Sequence, residues 1–364
     1  MWTIPPFEEL KATLQDPSSP IGKRMRAAYY CKQLFVNAQK NNEDDANGEI
    51  VELLCDQVFQ TQHGSLLRHE FAYVLGQMQT PLACQTLHKL LDASDDCVMV
   101  RHEAAEALGA IASSDSTDVL QSTYEKYTGS LDELADTCRL ALHRIQNPSA
   151  QVGCACMLAP YSSVDPVEAD TDHANLTTQE IGDLLCTESL DLVERYRAMF
   201  SLRNRGGEQS VQQLCRALVE DRSSPLLRHE VAFVLGQLQH PSSIDALETS
   251  LSRKEEHVMV RHESAEALGA VDVTEAAQWQ RIESILVKYQ QDEIPAVAES
   301  CIVALDAADY WGHVAVVQED DDAELQEDKK EESDGPANFG QHKRMDEQSR
   351  KEVLAQHFNV ATRV

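Results

Sequence analysis

The sequence predicts an all-α solenoid in which two pseudo-symmetric arms each stack four helical hairpins. The 364 residues include only 15 Gly and 12 Pro, so few long loops are expected. Aromatic residues make up 5% of the chain, and Ala and Leu carry much of its apolar fraction, a mixture that favours helices. The sequence also repeats itself, which is typical of hairpin units that bury their apolar faces only by stacking.

Two long motifs occur once in each half of the chain. LLRHEFAYVLGQMQ at 66–79 recurs as LLRHEVAFVLGQLQ at 226–239, and VMVRHEAAEALGAI at 98–111 recurs as VMVRHESAEALGAV at 258–271. Both copies are offset by 160 residues, and within each half the two motifs are 33 residues apart. A period of 33 residues is that of a helix–turn–helix unit.

Weaker copies of the motif flank each pair. RMRAAYYCKQL at 24–34 and RYRAMFSLRN at 195–204 lie upstream, while DTCRLALHRI at 136–145 and ESCIVALDAA at 299–308 lie downstream. They bring the prediction to four units in each half.

Local signals agree with a helix at each motif. An apolar stripe at i, i+4, i+8 and i+11 runs along one of them, formed by Val100, Ala104, Leu108 and Ile111. Asp96 precedes this helix, and Ser224 followed by Pro225 gives another helix a cap residue and a proline at its first position. Glycines late in the motif helices, such as Gly76, predict close packing or a helix end.

Composition divides the chain into four parts. We predict an N-terminal arm at 1–146, a linker rich in Pro and small polar residues at 147–178, a C-terminal arm at 179–310 and a tail at 311–364. Residues 318–334 hold ten acidic residues and two lysines, so the tail is expected to be disordered.

The charge balance excludes some functions. A formal net charge of −30 argues against nucleic-acid binding, which needs clustered Lys and Arg. No stretch approaches the roughly 18 consecutive apolar residues of a membrane span, and the N-terminus does not resemble a secretory signal. We therefore expect a cytoplasmic protein, also able to enter the nucleus, with its ten cysteines reduced.

The motif repeats one chemical feature at four equivalent positions. A single Arg-His-Glu triplet would be no more than a solvated helix start, but the outer units keep the framework and lose His-Glu, so the fold does not require it. Stacking would bring the four pairs together, facing an open groove. Two sets of His, His and carboxylate suggest a metal pair of the non-haem Fe(II) kind, although a zinc or manganese hydrolase could use the same ligands. The triplets lie at 68–70, 101–103, 228–230 and 261–263.

Over residues 20–310 the chain resembles the deoxyhypusine hydroxylases, a family of HEAT-repeat di-iron monooxygenases. The resemblance rests on the four triplets in register, on the LLRHExAxVLGQ and VMVRHExAEALGA blocks and on PYSSVDP at 160–166. It implies that O2 is used to hydroxylate deoxyhypusine, a lysine extended by an aminobutyl group, on eukaryotic translation initiation factor 5A. The product would be hypusine, and two HEAT-repeat arms would face each other across a groove that holds two irons.

The resemblance also assigns residues and partners. It implies two Fe²⁺ ions per chain. The ligands of the first iron would be His69, His102 and Glu103. The ligands of the second iron would be His229, His262 and Glu263. Glu70 and Glu230 would bind the substrate amines, and Met99 and Met259 would lie near the substrate path or, equally, fill the core. We expect a monomer that binds neither nucleic acid nor membrane.

Two other functions remain open from the sequence. A non-enzymatic HEAT-repeat scaffold would explain the repeats but not the His-Glu pairs confined to the central units. A HEAT-type chromophore lyase shares the architecture and would need no metal. The iron content and colour of the purified protein would separate the three.

Overall fold

The protein is described here by a computed structural model that covers residues 4–41, 44–147, 161, 163–273 and 275–311. Within these ranges it consists of sixteen α-helices joined by short loops and 3-10 turns, with no β-strand. The predicted all-α solenoid is confirmed. None of the described helices has the length and apolar character needed to cross a membrane.

The helices pair into hairpins along the chain. The first eight are α1 (Phe7–Gln15), α2 (Ile21–Asn41), α3 (Asp44–Gln57), α4 (Gly64–Gln77), α5 (Cys84–Asp92), α6 (Val98–Ile111), α7 (Thr117–Tyr127) and α8 (Asp132–Gln146). The next eight are α9 (Thr178–Cys186), α10 (Leu192–Arg205), α11 (Gly207–Glu220), α12 (Pro225–Leu238), α13 (Ile244–Ser252), α14 (Val258–Ala270), α15 (Ala276–Tyr289) and α16 (Pro295–Trp311).

The even-numbered helices form the inner layer. Each packs against the next within its half, from α2 through α8 and from α10 through α16, and the odd-numbered helices pack outside them. The two halves meet at both ends, because α8 contacts α12 and α16 contacts α2 and α4. The solenoid therefore closes into a ring, and the motif helices α4, α6, α12 and α14 all lie in its inner layer.

The division into arms, linker and tail stays a prediction. Of the predicted linker, residues 148–160 and 162 lie outside the described residues, and the remainder includes a 3-10 turn at Thr171–Asn175. Helix α16 continues to Trp311, one residue beyond the predicted C-terminal arm. The rest of the predicted tail, 312–364, lies outside the described residues.

One predicted helix cap is present and another is replaced. The Ser224 hydroxyl accepts a hydrogen bond from the Leu227 N–H group at 3.1 Å, and Pro225 follows it, as predicted. Asp96 does not cap the first turn of α6. Its carboxylate instead accepts hydrogen bonds from Arg68 Nη1 at 2.8 Å and from the adjacent Cys97 N–H at 2.7 Å. A charged donor binds a carboxylate more strongly than a neutral amide does, so Asp96 bonds to Arg68 rather than capping the first turn of α6.

The arginine of the motif has a structural role. In four inner helices its Nε donates to the carbonyl of the residue ten positions earlier, at the C-terminal end of the preceding outer helix, at 2.6–3.0 Å. The last carbonyls of a helix lack partners within it, so a buried guanidinium satisfies both groups. The same contact occurs at Arg195, in a unit without His-Glu, so the arginine supports the fold independently of the candidate site. The pairs are Arg68–Val58, Arg101–Leu91, Arg195–Leu185 and Arg261–Leu251.

Two motif glycines hold the inner helices close together. A Cβ atom on Gly76 would lie 2.7 Å from the Ala107 Cα atom, and one on Gly109 would lie 2.8 Å from the Ala141 Cα atom. Both distances are shorter than ordinary van der Waals contact, so only glycine permits this packing. The close-packing prediction is confirmed at both positions, and at Gly76 it brings the C-terminal halves of α4 and α6 into close contact.

Candidate metal centre

The four motif histidines meet at the centre of the ring. Each lies in the second turn of its helix, and the stacking of α4 on α6 and of α12 on α14 places them side by side. The ring centroids of His69 and His262 are 5.1 Å apart, and those of His102 and His229 are 5.3 Å apart. In both pairs one histidine comes from the first half of the chain and the other from the second. We call these four side chains the histidine cluster.

The carboxylate of the second triplet in each half contacts the histidine cluster. Glu103 Oε2 lies 3.0 Å from His69 Nε2 and 3.8 Å from His102 Nε2. Glu263 Oε2 lies 3.6 Å from His229 Nε2. In each half, the glutamate of the second triplet therefore approaches the histidine of the first.

The potential ligand atoms cluster in three groups within the described residues. His229, His262 and Glu263 offer ligand atoms that all lie within 4.8 Å of one another, as in the second predicted set. His69 and His102 form such a group with His229, and His102 and Glu103 form one with Glu106. The structure thus brings all six predicted ligands together, while the division into two separate sets stays a prediction.

The expectation that the His-Glu pairs face an open groove stays a prediction. His102 and His262 have no exposed surface, and Glu103 is 2% exposed. These side chains are therefore shielded from bulk water.

Several imidazole nitrogens in this buried cluster have no hydrogen-bond partner within the part of the chain that the structure describes. Both ring nitrogens of His102 and of His229, and Nε2 of His262, accept or donate no hydrogen bond among the described residues. A buried polar atom left unpaired costs about 1–3 kcal/mol, so an arrangement that leaves several is unfavourable unless something else binds them. Imidazole and carboxylate donors suit a divalent transition metal, and these residues could hold one or two such ions.

The pKa values of the histidines follow from burial and their neighbours. Burial, reinforced by the neighbouring imidazoles, holds the pKa of His102 and of His229 well below the usual value. Both rings are therefore neutral near pH 7, which is the form that binds a metal. Burial also opposes the charge of His69, but the carboxylates of Glu103 and Glu70 outweigh it and raise that pKa well above its usual value.

The carboxylates of the site resist ionisation together. Burial, followed by the nearby charge of Asp165, raises the pKa of Glu230 to about 8. Burial together with neighbouring carboxylates raises the pKa of Glu106 and of Glu263 well above the usual range. In a buried site each ionised carboxylate disfavours ionisation of its neighbours, so a bound cation stabilises the ionised carboxylates.

A pocket adjoins the histidine cluster. Eleven residues line it, six of them from the triplets and none of them Lys or Arg among the described residues. Because six of the eleven are glutamates, the pocket suits a cationic ligand. The lining residues are Tyr29, His69, Glu70, Tyr73, Glu103, Glu106, His229, Glu230, Phe233, Glu263 and Glu266.

Sequence reasoning missed Glu106 and Glu266. Each lies four residues after a cluster histidine and therefore on the same helix face. Glu266 Oε1 accepts a hydrogen bond from the Ser300 hydroxyl at 2.8 Å and lies 3.5 Å from His262 Nδ1. The signal was present, because VMVRHExAEALGA keeps this glutamate in both copies.

Comparison with known proteins identifies the family. A model of HEAT repeats matches residues 51–130 and 184–269. The deoxyhypusine hydroxylase of Drosophila pseudoobscura pseudoobscura is 39% identical over 84% of this chain and 92% of its own length. The enzyme of Schizosaccharomyces pombe is 38% identical over the same shares, and that of Mus musculus is 38% identical over 85% and 94%. This chain belongs to the deoxyhypusine hydroxylase family.

The fold agrees with this family. The structure of human deoxyhypusine hydroxylase in complex with glycerol matches with a TM-score of 0.71 at 35% identity. The match covers 84% of this chain and 96% of the human chain. The family resemblance inferred from the four triplets is confirmed.

The methionines that the deoxyhypusine hydroxylase resemblance singled out lie in the core. Met99 and Met259 are both fully buried among apolar side chains, and neither is among the residues that line the pocket. Met99 precedes Val100, which points into the same core. The packing alternative accounts for both residues.

Proposed function

We propose that this chain hydroxylates the deoxyhypusine side chain of eukaryotic translation initiation factor 5A to hypusine, using O2 and a pair of irons. The single observation that carries the proposal is the meeting of four His-Glu pairs, two from each half of a member of this family, around a pocket lined by six glutamates. A scaffold protein would have no need to bury this cluster.

In this proposal His69, His102 and Glu103 would hold one iron. The second iron would be held by the equivalent residues of the other half, His229, His262 and Glu263. When bound, two ferrous ions supply the O2-activating chemistry that amino-acid side chains lack. The neutral, unpaired imidazoles of His102 and His229 are suited to bind metal without first losing a proton.

Glu70 and Glu230 would bind the substrate amines. Deoxyhypusine carries a secondary and a primary ammonium group separated by four carbons, and each can donate charge-assisted hydrogen bonds to a carboxylate. Both glutamates line the pocket and come from α4 and α12, on opposite sides of the ring. A chain held at two points would place its middle carbons beside the histidine cluster.

Aromatic side chains complete the pocket. The rings of Tyr73 and Phe233 meet edge to face with centroids 6.1 Å apart, one from each half of the chain. They offer apolar contact to the methylene groups of the substrate and exclude water from the reacting carbon.

The proposal is tested by loading the purified chain with Fe(II) under anaerobic conditions and adding the deoxyhypusine-bearing factor, O2 and a reductant. We expect about two irons per chain and a substrate mass increase of one oxygen atom. A His102→Ala and His262→Ala double variant is the control and should bind little iron. Full iron loading without conversion, or activity with zinc and not with iron, would contradict the proposal.

A further inference from the structure

The residue four positions after each cluster histidine reaches the pocket, and these positions differ between the two halves. Tyr73 follows His69 by four residues, and Phe233 follows His229. In α2 the corresponding residue is Tyr29, which follows Met25, the residue at the histidine position of the first unit. Tyr29 also lines the pocket.

The second half has no phenol at these positions. Phe200 of α10 corresponds to Tyr29, and it is fully buried against Tyr196 and Arg203 in the core. Where the first half places two tyrosines at these positions, the second half has two phenylalanines. The pseudo-two-fold symmetry of the pocket is therefore broken by hydroxyl groups on one side only.

One of these hydroxyls fixes a carboxylate. Tyr29 Oη donates a hydrogen bond of 2.6 Å to Glu70 Oε2, while Glu70 Oε1 lies 3.2 Å from His69 Nδ1. Both oxygens of Glu70 are thus engaged. Glu230, its counterpart in the second half, receives no hydrogen bond from the residues that the structure describes, although Asp165 and Arg203 lie close enough to influence its charge.

We propose that Tyr29 is a positioning residue that acts through Glu70, orienting this carboxylate for one amine of the deoxyhypusine side chain and so fixing the direction in which the chain lies. The inference rests on the proposed function. A pocket of near two-fold symmetry would otherwise accept a linear diamine in two opposite directions. A carboxylate that is already held in place loses less side-chain freedom on binding than a free one, so the ligand favours the direction that uses it.

The test compares Tyr29→Phe with the wild-type chain, using the deoxyhypusine-bearing factor as substrate. The change removes one oxygen atom and keeps the ring. We expect the KM to rise about tenfold, which corresponds to about 1.4 kcal/mol of binding free energy, while kcat stays within about twofold and iron per chain is unchanged. Tyr30→Phe is the matched control, because it removes a phenol from the next residue of α2, outside the pocket lining, and should leave the KM unchanged.

A double variant separates positioning from a general effect on the fold. If Tyr29 acts through Glu70, Tyr29→Phe should add nothing to the loss caused by Glu70→Gln, because the partner of the hydroxyl is already altered. Additive losses, an unchanged KM in Tyr29→Phe, or a loss of iron in that variant would each overturn the inference.

A binding measurement keeps the inference distinct from the proposed function. Spermidine carries the same aminobutyl group on a secondary amine, and its affinity for the iron-loaded chain can be measured by calorimetry without turnover. Weaker spermidine binding by Tyr29→Phe than by the wild type supports the inference. This holds even if the chain fails to convert the protein substrate, because that failure would overturn only the proposed function. Equal binding by both chains, or no binding by the wild type, overturns the inference.

Discussion

Replacing Gly76 by Ala tests whether the close approach of α4 and α6 holds the candidate site together. The new Cβ atom would lie 2.7 Å from the Ala107 Cα atom and 2.8 Å from the Ala107 Cβ atom. Neither neighbour can rotate away, because both are fixed to the α6 backbone. The helices must therefore separate by about 0.8–1.3 Å to reach ordinary contact near 3.5–4.0 Å.

The expected free-energy change combines two opposing effects. Overpacking of this kind costs about 1–3 kcal/mol, whereas Ala is more favourable than Gly in a helix interior by about 0.5–1 kcal/mol. We expect a net loss of up to about 2.5 kcal/mol. The separation also moves His69 away from His102, whose ring centroids are 5.5 Å apart, so iron retention should fall as well.

The assay is the urea midpoint of the metal-free chain together with the iron retained per chain. Gly48→Ala is the matched control, because Gly48 lies in α3 and a Cβ atom there would meet nothing within 4 Å. The same substitution should raise stability by about 0.5–1 kcal/mol at that position. Equal stabilisation by both variants would refute the packing argument, and full iron retention by a destabilised Gly76→Ala would refute its link to the site.

Three further predictions follow from other parts of the molecule. Glu103→Gln should lower iron per chain, because a neutral amide is a poor ligand, whereas Glu70→Gln should keep iron and weaken substrate affinity by roughly tenfold to a hundredfold; equal iron loss would refute the division of roles. A chain that ends at Trp311 should retain its iron and its turnover. Loss of most of the turnover would refute this prediction. Burial alone would raise the pKa of Asp221, but hydrogen bonding to Arg195 holds it below its usual value. Its contribution to stability is therefore present above the unfolded-state pKa of about 3.9 and is lost as pH falls through the folded value, so the Asp221→Asn variant should lose less stability below about pH 4 than the wild-type chain does.

The sequence was sufficient for the fold and for the identity of the His-Glu pairs. The 33-residue period identified the hairpins, and the contrast with outer units that lack His-Glu separated a site from a framework. Tyr29 could not be assigned to the pocket in the same way, because a residue four positions after the histidine position faces either the core or the pocket, as Phe200 shows. Which of the two occurs depends on tertiary packing, and contacts such as that between α16 and α2 join residues more than 250 positions apart, which no local pattern encodes.

Closure of the ring and occupation of the histidine cluster are coupled by geometry. Histidines from opposite halves approach as closely as neighbours within one half, 5.1 Å for His69 and His262 against 5.4 Å for His229 and His262. Closing the ring therefore removes imidazoles and carboxylates from water, which is unfavourable unless they gain partners. Cations that bind only the closed form would stabilise it by mass action. The residues that would hold iron are thus also the residues that oppose closure without it, and helix packing between α16 and α2 has to offset that cost in the metal-free chain.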